Sequence, residues 1–114
     1  MASIRTSIHL AAALAVFAVL SAAPAGAACF ESGVGCTNSE LMPYWALRQL
    51  SCDALWTVRN TIYYENGYCF HTARGQAVFA NSGCRYNNAS LVPLNSYERS
   101  NIDRVVRVEK EKHC

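Results

Sequence analysis

The side chains best equipped for chemistry in this chain are six cysteines, Cys29, Cys36, Cys52, Cys69, Cys84 and Cys114. A thiolate can attack a carbon centre or bind a metal, and two thiols can close into a cross-link. No C-x-x-C occurs, and the gaps match neither a zinc ribbon nor a zinc finger. An even number of cysteines in a small exported chain reads as three disulfides. With every thiol in a bridge, none remains as a nucleophile. For acid–base work the candidates are His71, Glu65 and Glu40. His71 and His113 each lie near a cysteine, which alone does not make a ligand set. His71 sits beside a turn, where a structural or solvated role is the ordinary one. Nothing places two carboxylates at a glycosidase separation, and no glycine-rich phosphate loop is present. No catalytic residue, metal or cofactor is assigned. A small hydrolase using His71 or Glu65, or an inhibitor-type partner protein, stands as the alternative to a binding module.

Binding chemistry has more to work with. The pair Arg59-Asn60 could hold a ligand, or Arg59 could bridge helices while Asn60 bonds a loop backbone. Trp45, Trp56, Tyr63, Tyr64 and Tyr68 could form an aromatic platform for sugars or peptides, or serve as core. Tyr64 points away from the apolar stripe of its helix and is the best exposed candidate. Nucleic acid has no electrostatic support, because the formal charge of the whole chain is only +2. Asn88-Ala89-Ser90 has the form of a glycosylation sequon, which is accidental if the source is bacterial.

These residues must be positioned by a short chain. Arg5, the apolar run Leu10 to Leu20 and the small residues Ala25-Gly26-Ala27 read as a secretory signal peptide cut before Ala28. The run is too short for a membrane anchor, and the residues before Cys29 lack the leucine of a lipoprotein signal. Residues 28–114 then form one domain of ordinary globular composition. Ala28 to Cys36 reads as an irregular arm. Leu41 to Leu50 reads as a short helix with Pro43 in its first turn. Ser51 caps a longer helix, Cys52 to Asn66, stopped by Gly67. Thr72 caps a third, Ala73 to Asn81, which Gly75 weakens. Cys84 to Leu94 is a loop. Asn95 with Glu98 marks the start of a last helix, Ser96 to about Lys112. No useful period-2 run appears, so the expected fold is all-α: two main antiparallel helices and one or two short ones, stapled by disulfides.

Two helix faces carry a charge where a core belongs. Arg59 falls among Cys52, Leu55, Trp56, Val58, Ile62 and Tyr63, and both Glu98 and Glu109 fall inside the broad stripe of Tyr97, Ile102, Val105, Val106 and Val108, with Glu98 near its opposite end. A buried unpaired charge is costly, so each needs a partner. Antiparallel packing with Cys52 near Cys114 predicts an Arg59–Glu109 ion pair across the interface. The same geometry pairs Cys52 with Cys114, lets Cys69 and Cys84 bracket the third helix, and leaves Cys29 with Cys36 in the arm.

The segment Leu50-Ser51-Cys52-Asp53-Ala54-Leu55-Trp56-Thr57-Val58-Arg59-Asn60-Thr61-Ile62-Tyr63-Tyr64-Glu65-Asn66-Gly67-Tyr68-Cys69-Phe70 resembles the signature of the YARHG domain, L-S-x-x-E-L-x-x-x-R-N-x-I-Y-A-R-H-G-x-x-F. Arg59, Asn60, Ile62, Tyr63, Gly67 and Phe70 match position by position, and Phe79, Tyr86, Leu94, Asn101, Ile102, Val105 and Glu109 look like later landmarks. The resemblance covers Leu50 to Glu111. It departs where the family's Ala-Arg-His becomes Tyr64-Glu65-Asn66, which reverses one charge. Tyr64, Glu65, Asn66 and Asn60 are accordingly the binding candidates. The resemblance implies residues 50–114 as the YARHG-like domain, with 28–49 as arm and short helix. It also implies an extracellular or envelope-associated place, periplasmic or secreted. The expected partner is an envelope component or a protein, with no nucleic acid and no stable membrane anchor once the signal is removed.

Overall fold

A computed structural model describes residues 28–30 and 33–114. The expected signal peptide and its cleavage motif, with Glu31 and Ser32 of the arm, lie outside the described residues.

Two helices make the frame. The longer of the central pair in the C-terminal half, α4 (Ser96–Glu111), lies antiparallel to α2 (Cys52–Glu65). Contacts between them run in opposite chain order: the Cys52–Cys114 disulfide at one end, Arg59 to Glu109 in the middle, Asn66 to Glu98 at the other. Leu55 and Val58 of α2 meet Val105 and Val108 of α4 in a core that also takes Val34, Met42, Ala46 and Leu47. Burying each of the valine, leucine and methionine side chains stabilises the fold by about 1.5–3 kcal/mol.

Both helices start where local chemistry says they should. The Ser51 hydroxyl accepts the Ala54 N–H at 3.1 Å. Asn95 and Glu98 form a reciprocal capping box, each side chain accepting the other's backbone N–H at 2.9 Å. The end of α2 is a Schellman turn. Gly67 adopts φ +89°, the Gly67 N–H bonds to the Tyr64 carbonyl, and the Tyr68 N–H bonds to the Tyr63 carbonyl. The Tyr63 and Tyr68 rings pack across that turn, 5.7 Å apart.

The short elements depart from expectation for identifiable reasons. The arm is not irregular. Cys29–Phe30 (β1) and Gly35–Cys36 (β2) form a small antiparallel ladder with Cys29 opposite Cys36, and the disulfide joins that pair. All-α is therefore an approximation: the domain is mostly helical with one two-stranded hairpin. Strands of two residues have no periodicity to read, and their register is set by the cross-link and by Gly33 and Gly35, at φ +77° and +93°. Helix α1 covers only Tyr44–Leu47, with Pro43 at its N-cap rather than inside its first turn. Leu41 and Met42 cannot join it, because the Met42 N–H donates to Asn101 Oδ1 and the Met42 carbonyl accepts from Arg104. Helix α3 (Ala73–Val78) stops short of Asn81. Phe79 turns extended, stacks on Phe70 at 4.9 Å, and Asn81 brackets the Phe70 backbone with two hydrogen bonds of 2.8 Å. Gly75 is required rather than merely tolerated, since a Cβ there would lie 2.7 Å from the Phe70 ring. Within the expected loop, Ala89–Leu91 forms a 3-10 turn begun by the Asn88 side chain.

Candidate functional site

The expected cross-helix pair forms. Arg59 Nε and one terminal nitrogen donate to the two Glu109 oxygens at 2.7 and 3.1 Å, a bidentate fork in which both side chains are mostly covered. The disulfides are Cys29–Cys36, Cys52–Cys114 and Cys69–Cys84, and among the described residues no cysteine is free.

The four binding candidates part company. Asn60 is buried, and its amide donates to the Trp56 carbonyl of its own helix at 2.8 Å. Asn66 also turns inward, donating to the Ile62 carbonyl and to Glu98. Asn60 is spent within α2, Asn66 ties the end of α2 to α4, and neither lines the depression beside Tyr64. Tyr64 is 45% exposed and leans on Phe79, with ring centroids 5.3 Å apart. Glu65 is half-buried, and its Oε2 accepts the Thr37 hydroxyl at 2.9 Å.

Tyr64 and Glu65 share the rim of an open depression of about 430 Å³ between the end of α2 and residues 80–85. Tyr68, Ala80 and Arg85 complete the parts that matter. The walls are tied together. The Gly67 carbonyl accepts the Arg85 and Tyr86 N–H groups at 2.7 and 3.0 Å, the Cys69 N–H donates to the Tyr86 carbonyl at 2.8 Å, and Cys69–Cys84 closes the loop. Gly67 is thus needed twice, for its left-handed turn and for the approach of Tyr86, whose ring would lie 3.3 Å from an added Cβ. Arg85 makes no ion pair among the described residues.

Glu65 has an unusual environment. Burial pushes its carboxyl up to about 7, and the negative charge of Glu98 adds to the rise. The Thr37 hydroxyl and the Ala28 N–H act in the opposite direction. Glu98 offers no second acid, because one oxygen accepts the Asn95 N–H and the other accepts from Asn66. The other acid–base candidates lie elsewhere. His71 is exposed, with Nε2 2.8 Å from the Asn87 carbonyl, and Glu40 accepts the Cys36 N–H at 2.8 Å.

The aromatic residues do not make one platform. Trp56, Tyr64 and Phe70 gather around Phe79 as a second small core, and Arg74, paired with Asp53, covers Trp56 at 3.9 Å. Trp45 lies apart, over Gly33 of the hairpin. Two residues that fix this end of the molecule, Thr37 and Asn101, are both fully buried, and sequence reasoning assigned neither this role, naming Asn101 only as a landmark of the resemblance. Asn101 accepts the Met42 N–H and donates to the Thr37 and Glu40 carbonyls, clamping the arm to α4. The available signal was a polar side chain between Glu98, Ile102 and Val105 on the covered face. Arg85 had no signal beyond its place after Cys84.

Fold and cross-links together define a small helical domain stapled by three disulfides, the kind of module that an extracytoplasmic, oxidising compartment sustains. The YARHG domain matches residues 37–110, and the chain belongs to that family. The match begins earlier than the Leu50 start of the recognisable signature, and it takes in Thr37 and the segment that Asn101 clamps. No curated protein and no solved structure matches the chain. Among the described residues no helix is long and apolar enough to cross a membrane, and no group of three or more His, Cys, Asp or Glu side chains could hold a metal ion.

Proposed function

We propose that this protein is a small exported binding module of the bacterial cell envelope, released by cleavage before Ala28 and acting in the periplasm or outside the cell. The observation that carries the reading is the depression beside Tyr64. It offers an exposed aromatic face, a carboxyl group and the guanidinium of Arg85, which lies over the Tyr86 ring and makes no ion pair among the described residues, on a frame that a disulfide and a Schellman turn hold rigid. Preorganised walls of this sort lower the ordering cost of binding. Mixed aromatic and charged lining suits a polar polymer such as cell-wall glycan or its peptide.

The test is retention of the purified, oxidised protein on isolated cell-wall sacculi. Tyr64→Ala and Arg85→Ala should each weaken retention roughly tenfold, the scale of a modest hot spot. Absence of retention by the wild type sinks the envelope-ligand reading. A second reading, an envelope hydrolase with Glu65 as general acid, is favoured by one observation, a carboxyl titrating near 7 at the rim. Under that reading Glu65→Gln abolishes turnover of the wall material and spares retention.

A further inference from the structure

Glu65 is a half-buried carboxylate with no cationic partner among the described residues. What faces it instead is the start of the hairpin arm. Thr37, fully buried, donates its hydroxyl to Glu65 Oε2 at 2.9 Å. The same Thr37 oxygen accepts the Ala28 N–H at 3.4 Å, and the Thr37 N–H donates to the Ala28 carbonyl at 2.8 Å. Ala28 is therefore held on both sides of its Cα by one residue, with its nitrogen directed at the Thr37–Glu65 pair. Its N–H already acts on the Glu65 carboxylate.

We propose that Thr37 and Glu65 form a receptor for the α-ammonium group of Ala28 that signal cleavage creates, so that maturation locks the arm onto the end of α2. The proposal rests on the export reading, which places the cut between Ala27 and Ala28. Hydrolysis there breaks the Ala27 carbonyl–nitrogen bond. Water supplies a hydroxyl to the Ala27 carbonyl carbon and a proton to the Ala28 nitrogen; the carboxylic acid so formed releases its proton to solvent, and the amine takes one up to become an ammonium. A single N–H dipole becomes a full positive charge with three donors, enough to keep the Thr37 contact and pair with Glu65. The other charged groups around Glu65 do not replace it. Glu98 is of like sign and is engaged in its capping box, and Arg85 lines the opposite wall of the depression. Once paired, Glu65 is held ionised, which removes the proton that a general acid would need.

The experiment compares the exported chain beginning at Ala28 with an N-acetylated form, a form carrying one extra alanine, and Glu65→Gln in each background. Expected are an Ala28 amine that titrates above the usual range of about 7.7–8.0, returning to it in Glu65→Gln. Near pH 7 in low salt, acetylation or extension should lower the melting temperature by roughly 4–8 °C in the wild type. The same changes should have no effect in Glu65→Gln. An amine in the ordinary range in both proteins overturns the proposal. So does an extension equally harmful with and without Glu65, which would indicate crowding rather than charge. Terminal sequencing of the natively exported protein separates the two layers. A first residue other than Ala28 sinks the maturation lock together with the predicted cut. An Ala28 start with an unperturbed amine sinks the lock alone.

Discussion

Breaking the Arg59–Glu109 fork tests the packing argument most directly. The two side chains are 26% and 16% exposed, and both oxygens and two nitrogens are engaged. Removing one partner of a fully buried pair costs about 3–5 kcal/mol, because the survivor is left buried and unpaired. Partial exposure reduces that here. Arg59→Met strands the better covered Glu109 carboxylate beside Val105 and Val108 and should cost about 2–3 kcal/mol. Glu109→Met leaves Arg59, whose long stem can carry its charge toward water, and should cost about 1–2 kcal/mol. The double variant replaces the pair by packed apolar groups and should cost about 1–2 kcal/mol in all, since buried ion pairs exchange for hydrophobic residues at little net loss. The coupling energy is then about 2–3 kcal/mol, well outside the roughly 0.5 kcal/mol scatter of independent sites. Urea unfolding of the four oxidised proteins measures it. Additive losses would show that the fork contributes nothing beyond its separate side chains, and the reason given for the charges in the two apolar stripes would be wrong.

Three further outcomes follow from the same contacts. Cys52→Ser with Cys114→Ser opens a cross-link spanning 62 residues and should lower stability by about 3–4 kcal/mol, read by denaturant midpoint. Asn101→Leu leaves the Met42 N–H and the Thr37 and Glu40 carbonyls without their partner and should cost about 3 kcal/mol, with amide exchange rising first around Met42. In a chain extended before Ala28, the Glu65 carboxyl is raised from its ordinary value to about 7, so the folded state binds a proton more tightly than the unfolded one. That stabilisation is complete below the unfolded carboxyl value and is lost as pH rises from about 5 through 7. Discounted for partial solvent exposure, the loss is about 1–2 kcal/mol, and Glu65→Gln should flatten the profile.

The frame was legible because its signals are local or periodic. Ser51, Gly67 and the Asn95–Glu98 box mark helix ends within a few residues. Arg59 in one apolar stripe and Glu109 in the other, with Glu98 assigned to the cap and cysteines at opposite helix ends, sufficed to set direction and pairing. The arm was not legible. Its hold on the molecule is Asn101, which reaches Thr37, Glu40 and Met42 across some sixty positions of chain, and a polar residue on the covered face of α4 does not say what it reaches. The candidate site was half legible. A helical wheel correctly turned Tyr64 outward, but the last turn of α2 sends its next two residues to different neighbours. Glu65 meets the arm, and Asn66 meets the start of α4.

That divergence bears on the three consecutive positions where the chain leaves its family's motif at the end of α2. Tyr64, Glu65 and Asn66 stand where the signature has Ala, Arg and His, and each serves a different contact: Tyr64 the depression, Glu65 the arm, Asn66 the buried Glu98. An arginine at position 65 would present a cation to Thr37, where the mature amine of Ala28 is proposed to sit. The reversed charge and the disulfide-closed arm therefore make sense as one unit, in which a carboxylate is useful because an ammonium arrives to meet it. Glu65→Arg restores the motif residue and sets two like charges together. If the unit is real, that substitution should lower the melting temperature of the mature chain more than that of a chain acetylated at Ala28. Equal effects in the two forms would mean that the arm and the departure from the motif are unrelated.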